Sequence, residues 1–243
     1  MNKYVLILGA SSDIGIEIIR QIDDEQLVIF AHYCSNKMGL KALASEVSAE
    51  LVPIQADFRE EASVDTLIQE VQNKCDSLYG IIHLPAPQFN HIRFKDASWE
   101  DFQLELNVQV RSVVQVLQHF IPKMAKVKNG RVILMLTSFT LGVPPIATAH
   151  YVTAKYAMLG LMKALAFEFA GKHITINALS PSMIETRFLD KLPEKLIELH
   201  AHQHPLQRNA LPNDIAPLVK FLLSDQSAYM TGLNIPVTGG SVF

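Results

Sequence analysis

Short runs of apolar, often β-branched residues alternate along the chain with longer stretches in which apolar positions recur every three or four residues. The runs are Tyr4–Leu8, Leu27–Tyr33, Leu51–Ala56, Gly80–Leu84, Arg131–Leu136, Thr175–Leu179 and Leu233–Val237. Most are continuously apolar, the pattern of strands covered on both faces. Helical spacing is clearest in Trp99–Met124, through Phe102, Leu106, Val110, Val113, Val114 and Leu117, and in Tyr151–Ala170. Strand and helix in alternation predict parallel βαβ units: an α/β fold with a doubly wound, seven-stranded parallel sheet and helices on both faces. No repeat or composition break divides the chain, so residues 1–243 read as one domain. The segment at about 182–212 is rich in Pro, His and charge and carries a helical pattern at Pro193–Ala201. A long excursion of that kind predicts a lid over a substrate site.

Composition narrows the function. The 243 residues are 49% hydrophobic with a formal net charge of −3, which suits a large core and not a nucleic-acid partner, whose footprint is a basic face. Cys34 and Cys75 lack metal-ligand spacing, so neither a disulfide framework nor a zinc site is expected. No carboxylate or cysteine completes an obvious ligand set with His200, His202 and His204, and no metal is expected there. The apolar run after Lys3 passes straight into a glycine-containing turn and reads as a first core strand, not a leader. With no stretch of membrane-spanning length, the expectation is a soluble, cytoplasmic protein with reduced thiols.

Two stretches carry chemistry. Gly9-Ala10-Ser11-Ser12-Asp13-Ile14-Gly15 follows the first strand and opens a helix. Glycines there let backbone approach a pyrophosphate, whose charge the helix N-terminus favours. Tyr151 and Lys155 stand four apart on one helix face. A phenol is a poor acid/base near neutrality, and a nearby ammonium is expected to draw its pKa down. Ser138, thirteen residues before Tyr151 at a strand end, offers a hydroxyl to an oxygen gaining charge; Thr137 is its one competitor, and the spacing favours Ser138. Asn107 is a polar amide inside an apolar helical pattern.

These residues resemble the short-chain dehydrogenase/reductase family. Leu8–Gly15 is similar to its Thr-Gly-x-x-x-Gly-x-Gly cofactor signature, with Leu8 in place of Thr and Asp13 in place of the middle glycine; Asn107, Ser138, Tyr151 and Lys155 match its catalytic tetrad in order and spacing. Asn177–Thr186 is similar to its sixth-strand segment, with Ser182 where glycine is usual, and the C-terminal Thr231-Gly232 and Gly239-Gly240 fit as well. The family's Asn-Asn-Ala-Gly after the fourth strand is replaced by Leu84-Pro85-Ala86-Pro87. The whole-chain pattern is most similar to the 3-oxoacyl-acyl-carrier-protein reductases.

The resemblance implies a Rossmann-type fold and a dinucleotide held by Gly9, Ser11, Ser12, Ile14, Gly15, Tyr33, Ser35, Asn36, Asp57, Phe58, Tyr151, Lys155, Pro181, Ile184 and Thr186. The second strand ends without the acid that would bind a ribose 2′-OH, and Tyr33, Ser35, Asn36 and Lys37 follow instead; this favours NADP(H), with NAD(H) as the alternative. The expected activity is reversible reduction of a carbonyl, small-molecule or acyl-carrier-bound, with Tyr151 as general acid/base. A homodimer or homotetramer is implied. The rival reading, suggested by Asp13, Pro85 and Pro87, is a low-turnover NAD(P)-binding scaffold or sensor.

Overall fold

The computed structural model describes residues 2–242. Among them seven strands form: β1 (Lys3–Leu8), β2 (Leu27–Tyr33), β3 (Glu50–Gln55), β4 (Gly80–His83), β5 (Gly130–Met135), β6 (Ile174–Pro181) and β7 (Asn234–Val237). Every pairing is parallel, in the order β3-β2-β1-β4-β5-β6-β7. All seven expected strands are present, with ends that move by one or two residues. The helices are α1 (Asp13–Ile22), α2 (Met38–Leu43), α3 (Glu61–Gln72), α4 (Trp99–Glu105), α5 (Ser112–Val127), α6 (Ala149–Phe169), α7 (Glu194–Gln203) and α8 (Pro212–Leu223).

Alternate side chains of each strand serve opposite layers. Leu6 and Leu8 of β1 pack with residues of α3, α5 and α6, including Leu67, Phe120 and Met158. Val5 and Ile7 face the other way, into Ile18 and Ile19 of α1, Leu40 of α2 and Val219 of α8. A strand buried on both sides has no polar face, which is why the runs read as continuously apolar.

The expected continuous helix over Trp99–Met124 is corrected. It forms as α4, a π-helical turn at Leu106–Arg111, and α5. One extra residue per turn leaves the apolar spacing readable, so periodicity did not expose the break. Asn107 lies in that turn, and its carbonyl accepts from the Ser112 amide.

Chain direction matters most between β1 and β4. The chain leaves β3 at one edge and returns on the far side of β1, so the connections after β1 and β4 diverge. A crevice opens there beyond the carboxyl ends of the strands, the place where doubly wound sheets bind ligands. The glycine turn follows β1 and Leu84–Pro87 follows β4, so both border it.

Candidate active site

The crevice is a cleft of about 1190 Å³ running from the ends of β2 and β3, over the glycine turn, to the segment between β6 and α8. The turn is built by hydrogen bonds. Gly9, at φ +79°, stands where a side chain would meet Leu84 Cβ at 3.3 Å and Pro85 N at 3.4 Å. Its amide donates to His32 Nδ1 at 2.9 Å. The other ring nitrogen, His32 Nε2, lies 3.0 Å from the Ala56 carbonyl, so the proton sits on Nε2. Burial holds this imidazole neutral, lowering its pKa from 6.5 to about 4, and it stacks on Phe58 with centroids 4.1 Å apart. Ser12 caps α1 by accepting from the Gly15 amide at 3.1 Å, while its hydroxyl donates to the Gly9 carbonyl at 2.7 Å. A Cβ on Gly15 would come within 2.6 Å of the Ala10 carbonyl oxygen, so this glycine is needed for close helix–strand approach. Asp13 opens α1 and does not need the tolerance for unusual backbone angles that aspartate offers, since positive φ within the turn is confined to Gly9.

A nicotinamide dinucleotide fits these residues: a glycine cradle that a side chain would fill, the N-terminus of α1 at the cleft wall and a long cleft. Gly9, Ser11, Ser12, Ile14, Ser35, Asn36, Asp57, Phe58, Pro181, Ile184 and Thr186 line it. Two expected contacts do not. Gly15 acts behind the turn, and Tyr33 lies outside the lining, with the Lys37 ammonium 5.9 Å from its ring centroid. Arg59, which the sequence reading passed over, enters instead. Its Nε is 3.0 Å from both Asp57 oxygens, and this guanidinium holds the Asp57 carboxyl below the usual carboxylate range.

Ser138, Tyr151 and Lys155 all line the cleft. Lys155 is buried, its Nζ donating to the Met135 carbonyl at the end of β5 at 2.8 Å and lying 5.4 Å from the Tyr151 ring centroid. Burial lowers the ammonium's pKa to about 8. The expectation that Lys155 draws the Tyr151 phenol down is corrected. Burial, with the nearby Glu105 carboxyl, raises it, and the Thr137 hydroxyl only partly offsets this. Desolvation dominates, so the phenol keeps a proton to donate. Thr137 and Ser138 both border the cleft, and Ser138 opens the short turn Ser138–Thr140. Asn107 stands one residue before the lining residue Val108 and is not itself in the lining.

Glu105 is a second residue the sequence reading missed. Only 3% exposed, it accepts from the Gln109 amide across the π-helical turn, and burial raises its pKa to about 7. An acid inside an apolar helical pattern was the available signal.

Around Tyr151 the cleft is aromatic. Phe89 meets its ring edge-on at 5.1 Å, and Phe139 and Phe188 lie at 6.3 Å. The segment expected to be a lid is strapped down by polar contacts. His200 Nδ1 is 2.7 Å from Asn209 Oδ1, and Asn209 Nδ2 donates to Glu185 at 3.1 Å. His204 Nε2 reaches the Thr238 carbonyl at 2.8 Å. Its helix, α7, begins and ends later than Pro193–Ala201. Among the described residues no three ligating side chains cluster to hold a metal, and no helix is long and apolar enough to cross a membrane.

The family model described as enoyl-(acyl carrier protein) reductase matches residues 9–241. The 3-oxoacyl-(acyl-carrier-protein) reductase of Staphylococcus aureus is 32% identical over 245 residues, 99% of this chain and 98% of that protein. That of Thermotoga maritima is 32% identical over 248 residues, again 99% and 98%. A short-chain dehydrogenase/reductase from Serratia marcescens superposes with a TM-score of 0.88 at 23% identity, covering 98% of this chain and 97% of that one. Levodione reductase does so with the same score and identity, covering 98% and 96%. The chain belongs to the short-chain dehydrogenase/reductase family, as an NAD(P)-dependent oxidoreductase of CH–OH and C=O groups.

Proposed function

We propose that this protein is an NADPH-preferring carbonyl reductase, reversible as an alcohol dehydrogenase, in which Tyr151 is the general acid/base. The observation that carries this is a buried Tyr151 beside Lys155 in the same cleft as the glycine turn. When bound, the nicotinamide supplies the hydride for the carbonyl carbon. Tyr151 gives its proton to the carbonyl oxygen, and its neutral form is the one reduction needs. Ser138 holds that oxygen by a hydrogen bond as charge grows on it. Lys155, fixed by Met135, keeps a positive charge beside the phenol, and Asn107, in the π-helical turn, supports the path by which a solvent proton returns to Tyr151 through water.

The NADPH preference is supported at the adenine end. β2 ends without an acid, and Ser35, Asn36 and Arg59 line the cleft. The aromatic wall around Tyr151 favours a substrate with an apolar body, and 3-oxoacyl thioesters and compact ketones both meet that requirement. The proposed site also includes a substrate lid at 182–212. The exposed Phe167 and a groove between α5 and α6 support a homodimer or homotetramer through those helices, and a reduced, cytoplasmic setting suits the free thiols of Cys34 and Cys75.

Titration with NADPH and NADH at one ionic strength, followed by nicotinamide fluorescence, tests the cofactor site. Tighter NADPH binding is expected. Tighter NADH binding overturns the preference alone, and binding of neither overturns both the enzyme reading and its NAD(P)-binding scaffold rival.

A further inference from the structure

Asp13 places a carboxylate in the turn that would meet a pyrophosphate. Two like charges at such short range repel strongly unless one is neutralised. The structure supplies the partner from 174 residues away in sequence. Arg187 Nε donates to Asp13 Oδ1 at 2.8 Å, and Nη2 reaches the same oxygen at 2.7 Å. The Arg187 backbone amide donates to Asp13 Oδ2 at 2.8 Å. Nη2 also donates to the Ser11 carbonyl at 3.1 Å. Both carboxylate oxygens and one turn carbonyl are therefore engaged by a single residue. The guanidinium holds Oδ1 through Nε and Nη2 and reaches the Ser11 carbonyl, while Oδ2 is held by the backbone amide.

The clasp joins two parts of the cleft. Arg187 follows Thr186 and opens the short turn Arg187–Leu189, which carries Phe188 of the aromatic wall. The same contact thus sets the base of the segment between β6 and α8 against the start of α1.

We propose that Arg187 is the positioning residue that makes the Asp13-bearing turn competent for a dinucleotide, by neutralising Asp13 and holding its carboxylate aside. This rests on the dinucleotide reading above. It also explains how a chain of this family carries an acid where a glycine is usual: the glycine's openness is replaced by a charge pair.

The test is a double-mutant cycle on NADPH affinity, with wild type, Asp13→Gly, Arg187→Ala and the double variant, read by nicotinamide fluorescence at low salt. Arg187→Ala removes the positive charge from Asp13 Oδ1 while keeping the backbone amide on Oδ2, and is expected to raise Kd about tenfold, a penalty that shrinks as salt rises. Asp13→Gly is expected to stay within about threefold of wild type, and the double variant within about threefold of Asp13→Gly. Thermal unfolding without ligand checks that each variant is folded, and Arg187→Gln serves if the alanine variant is not. Arg187→Ala within about twofold of wild type overturns the proposal. So does a loss that persists undiminished when Asp13 is glycine, since Arg187 would then act on the ligand directly. If wild type binds neither NADPH nor NADH, both this inference and the dinucleotide reading fall; a flat cycle around a wild type that binds overturns this inference alone.

Discussion

The two loops that border the crevice solve different problems. After β1, the chain fixes polar groups atom by atom: the Gly9 amide on His32, Ser12 between Gly9 and Gly15, Arg187 across Asp13. After β4, Pro85 and Pro87 offer no amide donors, and the loop leads to Phe89, whose ring packs on Tyr151 and Phe188. A charged pyrophosphate must be met by oriented donors, which tolerate little displacement. A neutral carbonyl compound needs orientation only at its oxygen, and apolar packing can hold the rest. The β1 side should therefore be brittle and the β4 side forgiving.

Gly15→Ala should break the brittle side most severely. Its Cβ would lie 2.6 Å from the Ala10 oxygen and 2.7 Å from that of Gly9, both backbone atoms that cannot swing away. A loss of about 1–3 kcal/mol in unfolding free energy is expected, with NADPH affinity down at least about tenfold. Denaturant titration and fluorescence binding measure the two. A variant with wild-type affinity would show that the turn is softer than its geometry implies.

Acid should loosen the same side more gradually. The folded-state pKa of His32 is about 4 against an ordinary 6.5, so between those values the unfolded chain binds a proton that the folded one refuses. Stability from this residue is fully present above pH 6.5 and falls by about 1 kcal/mol per unit as pH drops towards 4. His83, also lowered by burial, acts in the same direction. Unfolding free energies measured across that window for wild type and His32→Gln should differ in slope, the variant being flatter. Equal slopes would remove His32 from the account.

On the forgiving side, Phe89→Ala should raise KM for an apolar ketone by about threefold to tenfold while leaving NADPH affinity near wild type. Steady-state kinetics with saturating NADPH decides it. A fall in NADPH affinity as large as that of Gly15→Ala would erase the contrast between the two loops.

The same contrast governs what the sequence made legible. The glycine turn is local, and its residues announce themselves within seven positions. Tyr151 and Lys155 are likewise set by one helix, so their meeting in the cleft could be anticipated. The aromatic wall draws Phe89, Phe139 and Phe188 from three separate segments, and Arg187 reaches Asp13 across most of the chain; no local pattern encodes such contacts. Asn107 was visible as an oddity, but the π-helical turn around it was not, because one inserted residue barely disturbs apolar spacing. The Tyr151 phenol went the other way from expectation because a sequence shows the charged neighbour and not the depth of burial. Arg59 and Glu105 were missed for a related reason: each is an ordinary charged residue until the fold places it against Asp57 or inside the core beside Gln109.

The account's centre is proton donation by Tyr151. Wild type and Tyr151→Phe should be compared at saturating NADPH against a panel containing a 3-oxoacyl thioester and compact ketones, following loss of nicotinamide absorbance, with NADPH affinity measured on the same samples. The account predicts that the wild type turns over at least one of these carbonyls. It also predicts that the variant's kcat falls by about a thousandfold while its Kd for NADPH stays within about threefold. Equal turnover by both proteins, or none by a wild type that binds NADPH, would contradict it.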